Sequence, residues 1–150
     1  RFVNECELDM SPAEVFALLA DEDEWPRWFP DFVHVEWLTP PPRGVGSERL
    51  AVLKTVKAKE HFLVWDEGRR MAFRVLAASL PFTRAMAEDY VLEPLPGGRT
   101  RFVWTVVYTP KTLARLIHPI LRVVFGKMFK GATKGLAAYV EARRTAARAA

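Results

Sequence analysis

The chain has 150 residues, half of them apolar and 18 aromatic, with a single cysteine, Cys6. That is enough for a real core and an internal cavity, and it excludes an intramolecular disulfide, a cysteine-based zinc site and, with no run of about 18 apolar residues, a membrane-spanning helix. The net charge of +4 hides an asymmetry: residues 1–110 carry 13 basic and 17 acidic side chains, residues 111–150 nine basic and one acidic, Glu141.

In chain order, the segment from Phe2 to Met10 alternates. Phe2, Cys6, Leu8 and Met10 face one way and Glu5, Glu7 and Asp9 the other, the pattern of a half-buried strand. Ser11, Pro12 and Glu14 form a capping box for a short helix to about Ala20. The acidic run Asp21 to Glu24 suits the start of a second short helix, which carries Trp25, Trp28 and Phe29 and stops at Pro30. Six strands are then expected: Asp31–Leu38 with Val33, Val35 and Trp37 on its apolar face, Val45–Val56, Ala58–Trp65, Met71–Ala78, Ala85–Glu93 and Thr100–Tyr108. Loops or turns separate them at Pro40–Gly44, Asp66–Arg69, Ser79–Arg84 (with Pro81 and Phe82) and Pro94–Gly98.

The last segment, Thr109 to about Arg144, spaces its apolar residues by three and one, a helical stripe that includes Leu113, Phe125, Met128, Phe129 and Leu136. Thr109 suits an N-cap and Pro110 a first helical residue, while Pro119 predicts a kink or break near His118. Beyond it one helix of about 25 residues, roughly 38 Å long, is expected. Lys111, Arg115, Arg122, Lys127, Lys130 and Lys134 lie largely off the stripe. They read either as a solvated basic face balanced by the acidic body or as a face for transient contact with an anionic membrane surface. No nucleic-acid motif accompanies them, so no nucleic-acid partner is expected. No repeat, linker or low-complexity segment interrupts the chain, so residues 1–150 are expected to form one domain, and the lack of a visible secretory signal points to the cytoplasm. The pattern predicts an α+β helix-grip fold: a seven-stranded antiparallel sheet round a long C-terminal helix, with two short helices between strands one and two.

Six stretches carry a resemblance: Ser11-Pro-Ala-Glu-Val-Phe16, Trp25-Pro-Arg-Trp28, Gly44-Val-Gly46, Trp65-Asp-Glu-Gly-Arg-Arg70, Tyr90-Val-Leu-Glu-Pro94 and Gly97-Gly-Arg-Thr100. In this order they resemble the START-like (SRPBCC) superfamily, in its polyketide cyclase/dehydrase-like bacterial branch. The resemblance implies a hydrophobic cavity between sheet and helix and no fixed catalytic set. Three functions follow as expectations: binding of a lipid-, polyketide- or aromatic-like small molecule, cyclase or dehydratase catalysis in the same cavity, or a quinone-binding or protein-interaction role, the last suggested by Asp21 to Phe32.

Strand phase selects the polar candidates. Lys57, Lys59 and His61 share one face, which turns Glu60 and Phe62 inward; Glu88 shares its face with Met86, Tyr90 and Leu92. A buried carboxylate must be protonated, paired or wet, and Arg49, Arg74 and Arg84 are candidate partners. Glu88 and Glu60 are therefore either a structural ion pair or the polar anchor or acid/base of an apolar cavity. That cavity is expected to be bounded by Phe62, Phe73, Tyr90, Trp104, Phe125, Met128 and Phe129. Gly131 and Gly135 in the helix signal either room for a ligand or close approach of the sheet or Trp104. His34 and His61 are expected to be exposed, and His118 to cap a turn or overlook the cavity mouth. The three fit no metal motif, Ser11, Ser47 and Ser79 no catalytic triad, and no cofactor is expected.

Overall fold

The computed structural model describes residues 1–79, 83–112, 114 and 116–149. Pro81 and Phe82 of the expected loop, and Leu113 and Arg115 of the expected helical segment, lie outside the described residues. The elements are β1 (Phe2–Leu8), α1 (Pro12–Ala20), α2 (Trp25–Trp28), β2 (Phe32–Trp37), β3 (Glu48–Leu53), β4 (Lys57–Asp66), β5 (Arg70–Ala78), β6 (Thr83–Leu95), β7 (Arg99–Pro110) and α3 (His118–Ala149). The strands form one antiparallel sheet in the order β1-β7-β6-β5-β4-β3-β2, the expected helix-grip arrangement. From β2 to β7 each strand pairs with its neighbour in sequence. β1 then pairs with β7, opposite Phe2↔Val106 to Leu8↔Thr100, bringing the start of the chain beside the strand that leads into α3.

Of the helices, α1 forms on the capping box that the sequence supplies, and α2 forms without a side-chain cap. Ser11 caps α1: its backbone N–H donates to Glu14 Oε2 at 2.9 Å and its hydroxyl accepts from the Glu14 N–H. α2 is one turn whose two tryptophans are buried; the Trp25 indole donates to the Leu19 carbonyl at 3.0 Å. The inner side of α3 is Phe129, Ala132, Leu136 and Val140, all buried, with Phe125 and Met128 half-buried against the same core. Phe129 meets Trp104 edge-on, ring centroids 5.3 Å apart.

Three expectations are corrected. Thr109 and Pro110 start no helix; they end β7, opposite Ala85 and Thr83, because the long β6–β7 ladder carries the chain past Tyr108. α3 begins at His118 and runs 32 residues. Pro119 sits in its first turn, where a missing N–H breaks no intrahelical bond, so the expected break near His118 is there as the start of the helix, without a kink. Val33 is exposed because a register shift between Phe32 and His34 puts Phe32, Val35 and Trp37 inward. Finally, the space beside Gly135 belongs neither to a ligand nor to Trp104: a Cβ there would run into the Trp28 carbonyl oxygen, so glycine lets α2 lie directly on α3. Gly131 faces open space.

Candidate functional site

Between the inner face of the sheet and α3 lies a cavity of about 100 Å³. Its walls come from every layer: Trp25 and Phe29 from the α2 region, Phe32 from β2, Tyr90 from β6, Trp104 from β7, and Phe125, Met128 and Phe129 from α3. Met86 and Val75 line it from β6 and β5. Its two acidic liners are Glu60 and Glu88. Alternation puts them there, since each lies two residues from a buried aromatic on the same strand face, Phe62 and Tyr90.

Of the residues expected round such a cavity, Tyr90, Trp104, Phe125, Met128 and Phe129 line it, as do both carboxyls. Phe62 and Phe73 do not. They are buried beside it, 5.2 Å apart between ring centroids, and pack against the guanidinium of Arg49. Arg49 has no solvent exposure. Its guanidinium carbon lies 4.8 Å from the Trp25 ring and 5.4 Å from the Trp37 ring, so four aromatic faces surround the charge. Its Nε donates to Glu60 Oε2 at 2.7 Å, and its Nη2 lies 2.7 Å from the same oxygen. Arg74 and Arg84 are exposed and take no part.

The two carboxyls are solved differently. Burial pushes the Glu60 carboxyl upward, opposed by the Arg49 charge and hydrogen bond. A guanidinium does not deprotonate in a protein, and burying it unpaired is costly, so Glu60 is the anion of the pair. Among the described residues Glu88 makes no salt bridge, and the Arg49 charge pulls its carboxyl down less than its hydrogen bonds do. The Tyr90 hydroxyl donates to its Oε2 at 2.9 Å and the Trp104 indole at 2.8 Å. Burial, then the Glu60 charge, push the Glu88 carboxyl up to about 7, while those two hydrogen bonds pull it down. Tyr90 itself is driven well above 10, first by burial and then by Glu88, so it stays a donor. Both donors use Oε2, and Glu88 is among the residues lining the cavity.

The other candidates have local roles. The His118 ring is 3.1 Å from the Tyr108 hydroxyl at the start of α3 and lines no part of the cavity. His34 is exposed; His61 is half-buried near Glu48, not exposed as expected. Ser47 and Ser79 accept from the backbone N–H groups of Gly44 and Lys57. Burial raises the Cys6 thiol to about 12. Among the described residues no cluster of His, Cys, Asp or Glu could hold a metal ion, and no helix is long and apolar enough to cross a membrane.

Sequence reasoning missed Trp25, Phe29 and Phe32 as cavity walls. Their apolarity was plain, but one turn of helix has no periodicity to aim Trp25 and Phe29, and the register shift after Phe32 hides its phase in β2. It named Arg49 only as one of three partners. The discriminating signal was Ala51, two residues along β3 and buried on the same face.

The model of a family described as polyketide cyclase / dehydrase and lipid transport matches residues 1–141. Uncharacterised proteins of Mycobacterium tuberculosis and Mycobacterium bovis are 33% identical over 147 residues, 97% of this chain and 87% of theirs. Among solved structures, the Zhui aromatase/cyclase of Streptomyces sp. R1128 superposes with a TM-score of 0.80 at 18% identity, covering 95% of this chain and 93% of its own. A START superfamily protein of Mycobacterium smegmatis gives 0.64 at 13%, covering 90% and 97%. At such identities these two likenesses are of fold alone. The match across nearly the whole length gives the assignment: the chain belongs to the polyketide cyclase/dehydrase and lipid transport family, and its fold is the one seen in a START superfamily protein.

Proposed function

We propose that the protein binds an apolar small molecule, lipid-, polyketide- or aromatic-like, in the cavity between sheet and α3, with Glu88 as its polar contact. One observation carries this reading: a mostly apolar cavity lined by two buried carboxyls, of which Glu60 is paired with Arg49 and Glu88 makes no salt bridge among the described residues. Sites of this kind take orientation from a few polar groups and affinity from apolar walls. A dry cavity of about 150 Å³ accepts benzene. About 100 Å³ is smaller than that and suits a short alkyl segment, and a ring or a larger ligand requires Met86 and Met128 to change rotamer, which thioether side chains do readily. Protonated, Glu88 donates to a carbonyl or ether oxygen; ionised, it accepts from a hydroxyl.

A second reading, an acid/base enzyme of cyclase or dehydratase type, is favoured by the same group. A carboxyl near 7 is matched to proton transfer at neutral pH. Fluorescence titration with a labelled fatty acid and a flat aromatic probe tests the first reading. Saturable uptake is expected, reduced by Ala58→Leu, which enlarges a side chain lining the cavity. Glu88→Gln separates the two readings. A binding protein should lose about fivefold in affinity or less, one neutral hydrogen bond exchanged for another. An enzyme should keep its binding and lose turnover, because the shape survives and the proton does not. No saturable uptake of either probe would overturn the binding reading.

A further inference from the structure

Outside the cavity, the approach to α3 and its first turns expose apolar side chains that the core does not use. Leu116 is 85% exposed and Ile120 66%, and Ile117, Val123 and Val124 are also open to solvent. At 100° per residue, Ile120, Val123 and Val124 fall on the same outer face of α3 as Lys127, Lys130 and Lys134, opposite Phe129 and Leu136. Lys127, Lys130 and Lys134 are all exposed. No acidic residue occurs anywhere between Glu93 and Glu141. Exposed aliphatic side chains bordered by lysine, with no acid among them, match a lipid interface: the aliphatics reach the acyl boundary and the cations meet the head groups.

We propose that the Leu116–Lys130 surface docks the protein on an anionic lipid bilayer. A second copy of this chain fits the charge poorly. Two such faces meeting would oppose Lys127, Lys130 and Lys134 to themselves, with no acid on the helix face to separate them. The surface also adjoins the cavity wall, since Phe125 and Met128 line the cavity from the same turns. Docking would therefore bring the wall of the cavity to the membrane, although the docking inference stands without any ligand in it.

Co-sedimentation of the full chain with vesicles tests it, comparing phosphatidylcholine alone with phosphatidylcholine plus phosphatidylserine. Binding is expected to the mixed vesicles only and to fall as salt is raised. Lys127→Ala/Lys130→Ala should weaken it about fivefold per charge removed. Ile120→Ser/Val124→Ser should also weaken it while leaving thermal unfolding unchanged, because both side chains are exposed. Arg99→Ala/Arg101→Ala, on β7 where each arginine is paired with a β1 glutamate, should leave it as it was. Equal binding to both vesicle types, no binding, or full binding by the Ile120→Ser/Val124→Ser variant would each overturn the proposal. So would a concentration-dependent dimer broken by that variant in a protein that ignores vesicles, which would assign the surface to a second copy.

Discussion

Glu88 places a titrating group inside the core, and that makes stability depend on pH. Its carboxyl rises from an ordinary 4.5 to about 7 on folding, chiefly through burial. Between those values the native state binds the proton that the unfolded state has released, so the stability this group contributes is complete below about pH 4.5 and is lost as pH rises through 7. The loss amounts to about 3 kcal/mol at most. Urea unfolding at pH 5 and pH 8 should show the wild type weaker at pH 8, and Glu88→Gln should remove most of the difference. Equal pH slopes in the two proteins would mean that Glu88 does not titrate in the fold. Alternation made the inward turn of Glu60 legible; in β6 it left one carboxylate inward, Glu88 or Asp89, and the large residues Met86, Tyr90 and Leu92 on its face pointed to Glu88. Their partners were not legible to the same degree. The β6–β7 register sets Trp104 opposite Tyr90, and it is this cross-strand placement that brings the indole to Glu88, a fact of pairing that no single strand contains.

At the scale of elements, Gly131 and Gly135 look alike in sequence and differ in surroundings. Glycine inside a helix usually costs about 1 kcal/mol against alanine. Gly131→Ala, in open space, should therefore raise stability by about that amount. Gly135→Ala should lower it by about 1–3 kcal/mol, because the new Cβ meets the Trp28 backbone carbonyl and α2 must move. Denaturant midpoints for the two variants should shift in opposite directions; shifts of the same sign would contradict the close packing of α2 on α3. The period-three-and-one stripe gave the inner face of α3, and the capping box gave α1. The start of α3 was misread because Thr109-Pro110 is a sound local N-terminus that loses to the longer β6–β7 ladder. Val33 was misread because one bulge reverses the phase of a strand, and a bulge leaves no mark on alternation until the pairing is known.

Across the whole molecule, the order of elements was legible because hairpins join β2 to β7 and each hairpin carries its own turn residues. The β1–β7 pairing, which sets Phe2 opposite Val106, was not legible, because no local turn joins two strands so far apart in the chain. The size of the cavity was not legible at all. It depends on how far Trp25, Phe29 and Phe32 lean over the sheet, and on the aromatic stack round Arg49 that withdraws Phe62 and Phe73 from its walls. Native mass spectrometry of the protein purified from its own host tests most directly whether this space serves a ligand. Binding predicts a one-to-one adduct of an apolar small molecule, diminished in the Ala58→Leu variant. Protein that leaves its host without an adduct and takes up neither the fatty acid nor the aromatic probe would contradict it.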